Sequence, residues 1–156
     1  MVVLGTGQPK YHQLFEDLRV RFPEKFAVKL AFDNQLAHEI EAGADMFLMP
    51  SKYEPCGLNQ LYSLRYGTVP IVRCTGGLAD TITDYDLNHD RGTGFVFTEY
   101  TAPAMLAAIE RALVVYADSE RWRRLVVRGM SERWSWDKSA LKYLELYARI
   151  RAKKQA

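Results

Sequence analysis

The residues best suited to chemistry lie in one stretch, Pro50-Ser51-Lys52-Tyr53-Glu54-Pro55-Cys56-Gly57-Leu58-Asn59-Gln60. It follows the apolar run Met46–Met49 and opens a predicted helix that carries Leu58, Leu61, Tyr62 and Tyr66 and stops at Gly67. Glycine at 57 lets the backbone approach a ligand closely, and the free N–H groups near Leu58 to Gln60 form an anion site. Glu54 sits just upstream on a loop that Pro55 stiffens. Two readings of its carboxylate compete: a cap on the helix N-terminus, or an acceptor for the hydroxyls of a sugar whose phosphate rests on that helix. Its place several residues before the helix is too early for the cap.

Three further segments invite the same comparison. Thr75-Gly76-Gly77 follows a predicted strand, and paired glycines there make either a tight turn or a second backbone surface for a ligand. Gly5-Thr6-Gly7 resembles the start of a dinucleotide fingerprint but lacks its third glycine, so no nicotinamide cofactor is expected. Phe32 ends the predicted strand from Phe26, where an aromatic ring is ordinarily a core residue.

These segments must be held by an alternation of strands and helices. Strands are predicted at Met1–Leu4, Phe26–Phe32, Met46–Met49, Val69–Val72 and Phe95–Phe97. Helices are predicted at Tyr11–Arg21, at Gln35–Ala42 with Gly43 as its stop, after Gly57, after Gly77 and from Ala102 onward. Ser119 and Ser135 are candidate N-caps for two last helices, the final one reaching about Arg151. The pattern predicts an α/β doubly wound, Rossmann-like parallel sheet, with Met46–Met49 covered on both faces. In such sheets ligands bind at the carboxyl ends of the strands, which is where all four segments converge.

Composition narrows the partners. The 156 residues are 48% hydrophobic, enough for one domain over 1–151, followed by a basic, solvated tail over 152–156. Lys plus Arg (21) nearly balance Asp plus Glu (19), for a formal charge of +2, so neither nucleic acid nor an anionic membrane is expected as a partner. Cys56 and Cys74 have no metal-ligand spacing and suit a reducing cytosol, so no metal is expected. The apolar start ends at Gly5, too short for a leader or a membrane span.

From Met49 to Thr81 the chain closely resembles the bacterial glycogen synthase and plant starch synthase family. The resemblance is carried by Pro50 to Tyr62, by Tyr66-Gly67-Thr68-Val69-Pro70 and by Thr75-Gly76-Gly77-Leu78-Ala79-Asp80-Thr81, and it extends more weakly to Trp136. It implies a GT-B architecture of two Rossmann-like domains, of which this is the C-terminal, donor-binding one. It implies a retaining glucosyltransferase that carries glucose from ADP-glucose or UDP-glucose to an α-1,4-glucan, without a cofactor, in the cytoplasm or, in a plant, the plastid. Glu54 would contact the donor glucose and stand as the catalytic candidate. The backbone at Cys56 and Gly57 would hold the same sugar, with Asn59 and Gln60 near the diphosphate, and Leu58, Tyr62 and Thr75-Gly76-Gly77 complete the expected substrate-binding set. Phe32 would lie against the adenine.

Tyr62 stands where related glycosyltransferases place a ribose-binding glutamate, and His38 matches a family position with a packing or polar role. By the same resemblance the chain starts after one strand and helix that bear phosphate-neutralising arginine and lysine, and the N-terminal acceptor domain is missing. The isolated chain is therefore expected to be inactive. Its exposed sheet edges are expected to pair with each other or to recruit another chain. The alternative reading is a non-catalytic module that binds nucleotide or glucan.

Overall fold

All paired strands run parallel. In the computed structural model, which describes residues 1–155, five strands alternate with helices: β1 (Val2–Leu4), α1 (Pro9–Arg21), β2 (Ala27–Lys29), α2 (Asn34–Gly43), β3 (Met46–Met49), α3 (Asn59–Tyr66), β4 (Val69–Arg73), α4 (Gly76–Thr81) and β5 (Phe95–Phe97). Three helices follow: α5 (Ala102–Tyr116), α6 (Ser119–Ser131) and α7 (Trp136–Gln155). The strands form two sheets, β1-β2 and β3-β4-β5.

Burial explains the larger sheet. β4 is buried from Val69 to Val72, and its alternate residues face opposite layers, as the strand period of two requires. Val69 and Ile71 pack with Phe95, Phe97, Ala108, Ala112 and Leu125 under α5 and α6, whereas Val72 packs with Leu64, Leu78 and Ile82 under α3 and α4. β3 differs from the expectation of full cover: Met46 to Met49 are each half-buried, because β3 pairs only with β4 and forms an edge. Pairing of Val2–Leu4 directly with Met46–Met49 does not occur among the described residues; β1 pairs with β2, Val3 opposite Val28.

Other boundaries moved for local reasons. The predicted strand Phe26–Phe32 shrinks to β2, because the Ala31 N–H turns back to the Lys29 carbonyl at 3.0 Å and Lys29 Nζ pairs with Asp33 at 2.7 Å. Asp33 then caps α2 by accepting from the Leu36 N–H. Gly43 is the last helical residue of α2 and not its stop. Asp118, not Ser119, caps α6, its carboxylate accepting from the Arg121 N–H at 3.1 Å. α7 continues past Arg151 to Gln155, with Trp136, Leu141 and Ile150 exposed along it. Among the described residues no helix is long and apolar enough to cross a membrane.

The connection from α4 to β5 is closed by a charged hub. Asp90 accepts from Tyr85 Oη at 2.9 Å, Arg124 Nε at 2.6 Å and Arg128 Nη2 at 3.2 Å. Its backbone is left-handed, at φ 49°. These donors, Arg124 foremost, hold its carboxyl down at about 2. A depressed carboxyl contributes stability above its unfolded value, and that contribution is lost as pH falls through the folded one. Asp90→Asn, which keeps a residue tolerant of positive φ, should therefore melt below the wild type at pH 7. The gap should close between about pH 4 and pH 2, as thermal melts across that range would show.

Candidate functional site

The register of the larger sheet sets the site. Met49 lies opposite Val72, so β3 and β4 end at the same level and their following loops emerge side by side. The Glu54 loop then lies directly on the first turn of α4. The Gly77 N–H donates to the Glu54 carbonyl at 3.0 Å. A Cβ at Gly76, which sits at φ 45°, would run into the Glu54 carbonyl oxygen, and one at Gly77 into the Cys56 carbonyl oxygen. Only glycine fits at either position, so the pair is a backbone-packing surface for this loop.

Two side chains hold the loop from its flanks. Upstream, Arg73 at the end of β4 donates from Nη1 to the Lys52 carbonyl at 2.7 Å and from Nε to the Thr98 carbonyl at 3.2 Å, while its guanidinium lies over the Tyr100 ring. Downstream, Gln60 is fully buried, and its Nε2 faces the carbonyls of Cys56 at 3.1 Å and Gly57 at 3.0 Å and Thr81 Oγ1 at 3.2 Å. Arg73 and Thr81 are absent from the sequence-based expectation. An arginine ending an otherwise apolar strand was the one available sign of the first, and the second was marked only by its place at the end of the stretch that carries the family resemblance.

Glu54 itself is half-buried, with the Ser51 hydroxyl donating to its Oε2 at 3.3 Å. It is not the cap of α3: Leu58 occupies the N-cap position, and no side chain caps that helix. Cys56, Leu58, Asn59 and Tyr62 are exposed along the loop and the first turn of α3, and Gly57 takes φ 71°. The Gln60 side chain, by contrast, turns inward, so only its backbone remains for a ligand. Thr75 is the N-cap position of α4.

α2 packs against α3 and brings His38 to Tyr62, with ring centroids 5.2 Å apart, while Tyr66 Oη lies 3.4 Å from His38 Nδ1. Behind them Glu41 is 3% exposed, and burial pushes its carboxyl up, with His38 at 3.8 Å opposing that shift. Phe32 is 89% exposed in the bend before α2, which removes the core reading of its ring. Among the described residues no group of three His, Cys, Asp or Glu side chains is placed to hold a metal.

Parallel strands, helices on both faces and glycine-lined loops at the strand ends match the Rossmann-like domain of GT-B glycosyltransferases. Residues 1–125 match the family described as Glycosyl transferases group 1, and the chain belongs to that family. It is 53% identical over 150 residues to a glycogen synthase of Koribacter versatilis, a match that covers 96% of this chain and 31% of that protein. A glycogen synthase of Fervidobacterium nodosum is 51% identical over 154 residues, 99% of this chain and 32% of that one. The solved catalytic domain of starch synthase IV from Arabidopsis thaliana, bound to ADP and acarbose, superposes with a TM-score of 0.82 at 39% identity, over 94% of this chain and 31% of that one. Sucrose-phosphate synthase from Thermosynechococcus elongatus, at 22% identity and a TM-score of 0.65, shares the fold. The chain spans about a third of the length of the curated relatives it matches.

The loop contact carries its own test. Gly77→Ala should push the Glu54 loop off α4, because the obstructing atom is a backbone carbonyl with no side chain to swing away. The variant should melt lower by about 1–3 kcal/mol of overpacking strain, measured by denaturant titration.

Proposed function

We propose that this chain is the donor-binding part of a glycogen or starch synthase, which transfers glucose from ADP-glucose to the non-reducing end of an α-1,4-glucan with retention. The observation that carries this reading is Glu54, a half-buried carboxylate outside any cap, braced beside the uncapped N-terminus of α3. A carboxylate there accepts from glucose hydroxyls while the helix N–H groups meet the diphosphate. Negative charge grows on the diphosphate as its bond to the anomeric carbon breaks, so fixed helix dipoles stabilise it most in the transition state. The exposed Phe32 ring offers a stacking face for the base, and the Tyr62–His38 pair a surface for the ribose. The relative solved with ADP supports adenine as that base.

Its further partners, on this reading, are the α-glucan acceptor and an N-terminal acceptor domain that faces the Glu54 loop, in the cytoplasm. The open edges of β1 and β3 would take up another strand, from a second copy or another chain. The chain alone should transfer no glucose from ADP-glucose to glycogen, and transfer by the purified chain would contradict this.

Two substitutions in the complete enzyme test the roles. Glu54→Gln should lose about 1.5–3 kcal/mol of transition-state binding, roughly a ten- to hundredfold fall in rate, with an unchanged melting temperature. Normal turnover, or early melting, would make Glu54 structural. Phe32→Ala should weaken ADP binding by about 1–3 kcal/mol in a calorimetric titration, and unchanged affinity would remove the ring from the site.

A further inference from the structure

We infer that Gln60 and Thr81 form a buried amide clamp that aims the loop's N–H groups at the donor, making them positioning residues of the transfer reaction. The inference rests on the donor site proposed above and adds the group that sets its geometry.

The Gln60 amide nitrogen has two hydrogens and three acceptors within reach: the Cys56 carbonyl, the Gly57 carbonyl and Thr81 Oγ1. The Thr81 hydroxyl spends its own hydrogen on the Gly77 carbonyl, at 2.5 Å. The clamp therefore ties the Glu54 loop to the far end of α4, the helix on whose first turn that loop lies. Gln60 Oε1 is buried with no donor. Turning the amide over would set that oxygen against two carbonyls, so the orientation is fixed by what surrounds it.

The geometry of the peptide unit supplies the consequence. Among the described residues no peptide bond is cis, and in a trans unit the C=O and N–H point in opposite directions. Drawing the Cys56 and Gly57 carbonyls inward to Gln60 turns the next two N–H groups, of Gly57 and Leu58, outward at the start of α3. Neither N–H donates to a protein group among the described residues. Gly57 is needed for the same reason: it holds φ 71°, and a Cβ there would meet Gln60 Oε1 at 2.5 Å. The Gln60 side chain is fully buried and turned inward, so its effect on binding passes through the backbone it holds.

The test uses the full chain, with ADP and adenosine as probes followed by NMR shift titration. Gln60→Met keeps the length of the side chain and removes its hydrogen bonds. It should weaken ADP binding at least tenfold and leave adenosine, which has no phosphate, bound as before. Thr81→Ser keeps the hydroxyl and should behave as the wild type, and Thr81→Val should fall between the two. In the complete enzyme, Gln60→Met should lower kcat more than it raises KM. Equal loss of ADP and adenosine would make Gln60 a packing residue and overturn the clamp, as would undiminished ADP affinity in a folded Gln60→Met chain. If Gln60→Met does not fold, the wild type still decides. The side-chain amide protons of Gln60 should exchange with solvent at least tenfold more slowly than those of exposed Gln8, and equal rates would overturn the proposal. A wild-type chain that takes up no ADP while Gln60 is protected would instead overturn the donor-site reading and, with it, the role given to the clamp in transfer.

Discussion

Backbone lies on backbone where the Glu54 loop crosses Gly76 and Gly77, and the rest of the site depends on that contact. No side chain stands between the two segments, so their separation is set by van der Waals radii and one hydrogen bond, Gly77 N–H to the Glu54 carbonyl. Such a contact has no rotamers and cannot adapt by repacking. It transmits the position of β4, the most completely buried strand, to the loop with little slack.

Around that contact the chain uses neutral dipoles and one guanidinium, with no buried ion pair. Arg73 grips carbonyls from the upstream side, and Gln60 grips carbonyls from within. Carbonyl acceptors satisfied from inside leave their peptide units presenting N–H groups outward, a polarity suited to an anion. Because these dipoles are fixed by the fold, they need not reorganise to meet one. The carboxylate of Glu54 is then the one acidic group of the loop, held by the Ser51 hydroxyl.

Much of this was legible in the sequence where a rule acts locally. Apolar runs located β3, β4 and β5, and glycines 57 and 67 marked positions that prove to have positive φ. Glu54 read correctly as no cap, since its distance from the helix start is countable. The failures lie where a local rule fits two residues, or where a contact outside the rule decides. Phe26 to Phe32 reads as strand throughout, yet the Ala31 N–H turns back to the Lys29 carbonyl, Lys29 pairs with Asp33, and Phe32 stands in solvent. Asp118 and Ser119 are both good caps, and only the backbone shows which stands outside the helix. The inward turn of Gln60, its partner Thr81 twenty-one residues away, and the Asp90 hub thirty-four residues from Arg124 involve no periodicity at all.

The division into two sheets has a mechanical meaning. Phe32 follows β2 of the smaller sheet, whereas Glu54 follows β3 of the larger, and among the described residues no strand pairing joins the two. The chain passes between them through α2. A molecule long enough to touch both residues would bridge this seam and act as a brace across it. Part of its binding energy would then appear as stiffness between the two sheets, and its departure would return that freedom.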